Sequence, residues 1–152
     1  MHSRRSLFVL LLAVLAIASC AAPSNRLFDL GRYKAIGKMS QERLKARLSL
    51  PPETYAAHLA FIVPVSSPRP NVSGGICSAE RTVFKIRSND LQKANWLTKR
   101  FEAKNDVWVV SIPTSTIKLL SSGSGFMTLT GSSDLVTDVY VVYLNSVFQI
   151  PL

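Results

Sequence analysis

The segment RLKARLSL, residues 43–50, sets Leu44, Ala46, Leu48 and Leu50 at every second position, with Arg43, Lys45, Arg47 and Ser49 between them. A repeat of two is the repeat of a β-strand, whose side chains point alternately to opposite faces. As a strand, this segment gives four apolar side chains to a core and three cations to the other face. A helix starting at Ser40 is the alternative, because Leu44 and Leu48 are also four apart; Pro51-Pro52 ends either element. Short apolar runs bounded by breakers recur along the chain. Leu59–Val63 suits a buried strand closed by Pro64, and residues 66–75 (SSPRPNVSGG) read as a loop. Thr82–Ile86, VWVVSI (107–112) and FMTLT (126–130) read as strands, and LVTDVYVVYL (135–144) as an interior strand, apolar on both faces from Val139. VFQI (147–150) closes the chain as a last apolar run. From Thr114, STIKLL predicts one or two helical turns ended by Gly123 or Gly125. Residues 91–103 fit either a helix capped at Asn89 or Asp90, or a twisted strand entering a hairpin. Trp108 and Tyr140, inside strands, are expected in the core. The fold expected is mainly β: a small sandwich or partly open barrel of seven or eight short strands with one or two short helices. The alternative is an α+β fold with helices on one face of an antiparallel sheet.

The first residues are of another kind. MHSRRS carries Arg4 and Arg5 and no acid; Leu7–Ile17 is an unbroken apolar run of eleven residues, and small residues follow. That three-part order is the pattern of a secretory signal. A membrane-spanning helix needs about 20 apolar residues, so a permanent anchor of this kind is the weaker reading. Ile17-Ala18-Ser19-Cys20 resembles the lipobox of bacterial lipoproteins: an aliphatic residue, two small ones, then cysteine. The resemblance implies cleavage before Cys20, a diacylglycerol on its thiol and a further acyl chain, palmitate for example, on the new amino group. Several chains anchor firmly, since each buried methylene adds roughly 0.8 kcal/mol. Ala21, where some such lipoproteins carry an inner-membrane-retaining aspartate, implies the cell outer membrane, with the domain facing the periplasm. On this reading residues 1–19 are a leader, 20–30 a lipidated tether, and 31–152 one β-rich domain. The resemblance covers only residues 1–20. The order of elements in residues 107–131 resembles the C-terminal half of small periplasmic β-sandwich proteins of the invasion-associated type; it includes no diagnostic motif and carries no function with it.

The chain holds 18 basic and 9 acidic residues, and Arg4 and Arg5 account for only two of the surplus. Between Arg26 and Arg47 seven cations stand against Asp29 and Glu42. This stretch follows the anchor, beside a membrane surface, where anionic lipid or an acidic wall polymer would attract it. Arg43, Lys45 and Arg47 are therefore candidates for binding an anionic surface. An exported chain rarely meets nucleic acid, and that partner is set aside. Trp96, near Lys99 and Arg100, is a candidate exposed aromatic among cations, a combination that suits sugars or an anionic partner.

Reactive chemistry is sparse. His58 lies between Ala57 and Leu59 and reads as a partly buried, satisfied side chain. No second histidine follows the leader to make a metal pair, and no cysteine cluster exists. Asp134 and Asp138 are a close acidic pair, better placed on a turn and a solvent face than in a cleft. Gly74-Gly75 and Gly123/Gly125 read as loop glycines. With Cys20 lipidated, Cys77 has no disulfide partner in the chain and reads as a small buried apolar residue. Phosphate-cradling and nucleophile-elbow motifs are missing. No cofactor is implied and no enzyme is expected. The leading functional expectation is a non-catalytic envelope lipoprotein, an accessory or assembly factor that binds another envelope or secretion-system protein. The alternative is a module binding an anionic envelope polymer or lipid through its basic face; a hydrolase comes third.

Overall fold

The structure is a computed structural model and describes residues 31–40, 43–101, 105–131, 136 and 138–145, with residues 98–100 as backbone only. Cys20, the tether 20–30, Asp134 and the final VFQI lie outside the described residues. Among those described, nine strands form two antiparallel sheets: β1 Arg32–Gly37, β2 Arg43–Leu48, β3 Ala56–Pro64, β4 Val72–Ser78, β5 Arg81–Arg87, β6 Gln92–Lys93, β7 Asn105–Ser111, β8 Gly125–Gly131 and β9 Asp138–Leu144. A five-stranded sheet has the order β1-β9-β3-β7-β6 and a four-stranded sheet the order β2-β8-β4-β5. The chain is mainly β, as its period-two pattern predicts.

The core lies between the sheets. Leu44 and Leu48 of β2, Ile76 of β4, Ile86 of β5, and Met127 and Leu129 of β8 meet Leu59, Phe61 and Val63 of β3 and Val139 and Val141 of β9. Phe61 and Leu59 are fully buried. The five-stranded sheet is covered on its other face as well. Ala60, Ile62, Val107, Val109, Val142 and Leu144 pack there against Ala94, Leu97 and Phe101. This is why β3 and β9 are apolar on both faces, whereas β2, with solvent on one side, alternates strictly.

Of the 91–103 stretch, the described residues 91–101 form neither a full helix nor a long strand. Gln92 and Lys93 pair with Val109 and Trp108, and Asn95–Arg100 then turns into a 3-10 helix that lays Leu97 on the sheet. Helix α1, Thr114–Ser122, joins the two sheets and buries Thr116, Ile117 and Leu120. It stops before Gly123. The Leu120 carbonyl accepts a hydrogen bond from the Leu50 amide at 3.0 Å, which ties the helix to the chain leaving β2.

Three expectations are corrected. The loop after β3 ends at Asn71, and Gly74-Gly75 lie inside β4. Gly74 has φ +157°, and a Cβ there would sit 1.9 Å from the Thr128 carbonyl oxygen. Its glycine answers a close approach of β8, not loop freedom. Gly125 likewise begins β8, where a Cβ would press on Leu120 at 2.7 Å. Cys77 is half-exposed rather than buried, because it takes the outward register of β4 beside Thr82, with Sγ and Oγ1 3.7 Å apart. β1, whose first four side chains are exposed, has no strong apolar signal; it forms by pairing with β9.

Candidate functional site

The outward face of the four-stranded sheet follows from strand alternation and register. On β2, Leu44, Ala46 and Leu48 turn inward, leaving Arg43, Lys45 and Arg47 exposed outside. On β8, Met127 and Leu129 turn inward, so Phe126, Thr128 and Thr130 share the outer face. On β4 the outward set is Ser73, Gly75 and Cys77; on β5 it is Thr82, Lys85 and Arg87.

Register aligns these residues in rows across the sheet. Arg43 stands beside Thr130, then Ser73, then Arg87. Lys45 stands beside Thr128, Gly75 and Lys85; Arg47 beside Phe126, Cys77 and Thr82. Strands are spaced about 4.8 Å apart, so the cations of β2 and β5 stand about 14 Å from each other across the floor. All five are exposed, and the described residues of this face include no acid. Among the described residues the one salt bridge, Lys93 with Asp106 at 3.3 Å, lies on the other sheet. Between the cations the floor is low and hydroxylated, with the Ser73 and Thr130 oxygens 3.1 Å apart. Phe126, 47% exposed, is its large apolar side chain.

Lys85 and Arg87 were not singled out from sequence. RTVFKIR alternates only in its second half, where Lys85 and Arg87 flank the buried Ile86; Val83 and Phe84 both lean on the core beside a shift in the pairing with β4. The missing information was that β5 lies three places from β2 in one sheet, which pairing order alone decides.

A second feature is a cleft of about 1050 Å³ where the ends of β3 and β7 meet β6, the 3-10 helix and α1. Tyr55, His58, Phe84, Trp96, Ser111 and Lys118 line parts of it. β6 covers β7 only at Trp108 and Val109, so the edge of β7 at Ser111 opens into the cleft. Trp96 is half-buried on the second apolar cluster, its ring edge-on to His58 with centroids 5.7 Å apart. The backbone of Lys99 and Arg100 continues the same 3-10 helix, and their side chains lie outside the described residues.

His58 Nδ1 and Ser111 Oγ are 3.0 Å apart. The two residues face each other across β3 and β7, a register that brings any such pair into contact. Burial lowers the His58 imidazole to about 4, partly offset by a hydrogen bond with the Val110 backbone. General-base catalysis works best with a pKa near the working pH. A base this weak extracts a serine proton poorly, so the contact reads as a cross-strand hydrogen bond. Among the described residues no three His, Cys, Asp or Glu side chains gather to hold a metal ion, and no helix is long and apolar enough to cross a membrane.

No protein family, curated protein or solved structure matches this chain.

Proposed function

We propose that the chain is a non-catalytic, lipid-anchored module of a bacterial cell envelope that holds an anionic envelope polymer or lipid on the outer face of its four-stranded sheet. The observation that carries this reading is the joining of Arg43, Lys45 and Arg47 with Lys85 and Arg87 on one face whose described residues include no acid. Charges at edge strands also discourage edge-to-edge pairing of sheets, a role that anions fill equally well. Charge reversal therefore separates the two roles. The lipobox resemblance at Cys20 supplies the address, and the tether keeps the domain near the membrane, where anionic groups are concentrated.

The test compares the full chain with a variant carrying Arg43→Ala, Lys45→Ala and Arg47→Ala, on an immobilised anionic polymer at low salt. A control removes Arg32 and Lys34 of β1, on the other sheet, and Lys38 just after it. The first variant elutes early and the control elutes near wild type. Equal elution of all three proteins would refute the proposal.

A second reading, an accessory factor docking on another envelope protein, draws on the cleft. The open edge of β7 at Ser111, flanked by Tyr55 and Trp96, suits an extended segment that adds to a sheet edge. Crosslinking and pulldown from native membranes, wild type against Cys20→Ala, tests it. A defined protein partner, lost when Tyr55 and Ser111 are replaced by lysine, supports this reading.

A further inference from the structure

The outer face of the four-stranded sheet is not evenly charged. Its cations stand in two rails, one on each edge strand, and the strands between them carry none. The β2 rail is Arg43, Lys45 and Arg47, and the β5 rail is Lys85 and Arg87. Within a rail, cations two residues apart on a strand lie about 6.8 Å apart. The floor is made of Ser73, Gly75, Thr128 and Thr130, side chains far shorter than arginine or lysine. The result is a trough that runs parallel to the strands. Gly75 keeps it low, and its neighbours hold it so: a Cβ there would lie 2.9 Å from the Phe84 carbonyl oxygen.

We propose that this trough takes one strand of a linear anionic glycan, laid along β8 and β4 between the rails. The inference rests on the basic face being a binding surface and names what fits it. The rails neutralise carboxylates or phosphates on either side of the chain. The floor hydroxyls of Thr128, Thr130 and Ser73 meet sugar hydroxyls. Phe126, exposed at the end of the floor beside Arg47, offers its ring face to the C–H face of a sugar ring. A flat bilayer would rest on the rail tips and leave the floor unused. It would also find one exposed large apolar side chain here, since Tyr33, Tyr55, Val65 and Leu119 belong to other elements and loops. An acidic peptide or a bare polyphosphate would use the rails without needing Phe126.

The experiment measures affinity of the full chain in nonionic detergent, at low salt, for four probes. These are decagalacturonate, inorganic polyphosphate, poly-glutamate, and mixed micelles containing an anionic phospholipid. The variants are Thr128→Tyr, which fills the floor with a good strand former and leaves every charge in place; Phe126→Ala; and the combined Arg43, Lys45 and Arg47→Ala. Circular dichroism establishes that each is folded. Decagalacturonate binds most tightly of the four, and Thr128→Tyr and Phe126→Ala each weaken it about tenfold while leaving the micelles unaffected. Tighter binding of polyphosphate, poly-glutamate or micelles would overturn the glycan assignment. If both floor variants bound decagalacturonate like wild type while the rail variant weakened every probe, the trough would fall and the basic face would stand. A rail variant equal to wild type on all four probes would remove both.

Discussion

His58 shows how one side chain links burial to pH. Its imidazole is lowered from 6.5 to about 4, chiefly by desolvation. The unfolded chain therefore binds a proton at a higher pH than the folded one. Between these two values the unfolded state holds more protons, so stability falls as pH drops from about 6.5 to about 4 and is unaffected by this group above that window. The full loss is on the order of 3 kcal/mol, from 1.36 kcal/mol per unit. His58→Gln, which keeps a hydrogen-bonding partner for Ser111, is expected to flatten the stability curve across that range in urea titrations. An unchanged slope would contradict the assignment. Gly74 makes the opposite kind of demand, fixed and independent of pH. With φ at +157° and the Thr128 carbonyl against the site of any Cβ, Gly74→Ala is expected to cost roughly 2 kcal/mol or more, read as a lowered denaturant midpoint. Neither property was legible from residue type. His58 looked like a partly buried histidine and is one, but its depressed basicity comes from desolvation by burial, which residue type alone does not reveal.

At the scale of elements, strands with one wet face were the most readable. RLKARL announces both its core residues and its outward cations, because solvent on one side forces the alternation. The double-faced β3 and β9 could be named as strands, and their second cover could not. That cover, residues 94–101, belongs to the 91–103 stretch, whose helical and extended readings were evenly matched because its described part holds some of each: two residues of strand at Gln92–Lys93, then a 3-10 helix. Leu97, fully buried, fixes it to the sheet. Leu97→Ala is expected to cost about 2–5 kcal/mol, as other fully buried leucines do, and to disturb the environment of Trp96 seen by fluorescence. On β2 the expected outcome is reversed. Replacing Arg43, Lys45 and Arg47 by glutamate changes stability by about 0.5 kcal/mol per site at most, since exposed side chains contribute little. The same replacement abolishes retention on an anionic polymer. A large loss of stability would mean that the cations hold the fold rather than a ligand.

The whole molecule brings together features that are distant in sequence. The lipobox resemblance ends at Cys20, the first rail begins at Arg43, and the second lies beyond a hairpin at Lys85. Only the strand order β2-β8-β4-β5 makes the rails one surface. Pairing order is a long-range property, which is why the sequence offered half of the site. On the proposed function, lipid and charge act as two separate holds on the envelope. With acyl chains in place, salt washes leave the protein on membranes. In a chain cut back to residues 21–152, which carries neither the apolar leader nor Cys20, any remaining association is electrostatic and is released as salt rises from 0.1 to 1 M, where the screening length shrinks from about 10 to about 3 Å. That shortened chain staying bound at 1 M salt would contradict the division.

The central claim is that two edge strands on opposite sides of a sheet act as one anion-binding surface. Covalent acetylation of the full chain, with and without decagalacturonate, tests it at single residues. Lys45 and Lys85, one from each rail, are expected to become protected together, while Lys34 on β1 and Lys118 on α1 react as in the free protein. Protection of Lys45 without Lys85, or protection centred on Lys118 in the cleft, would contradict the account.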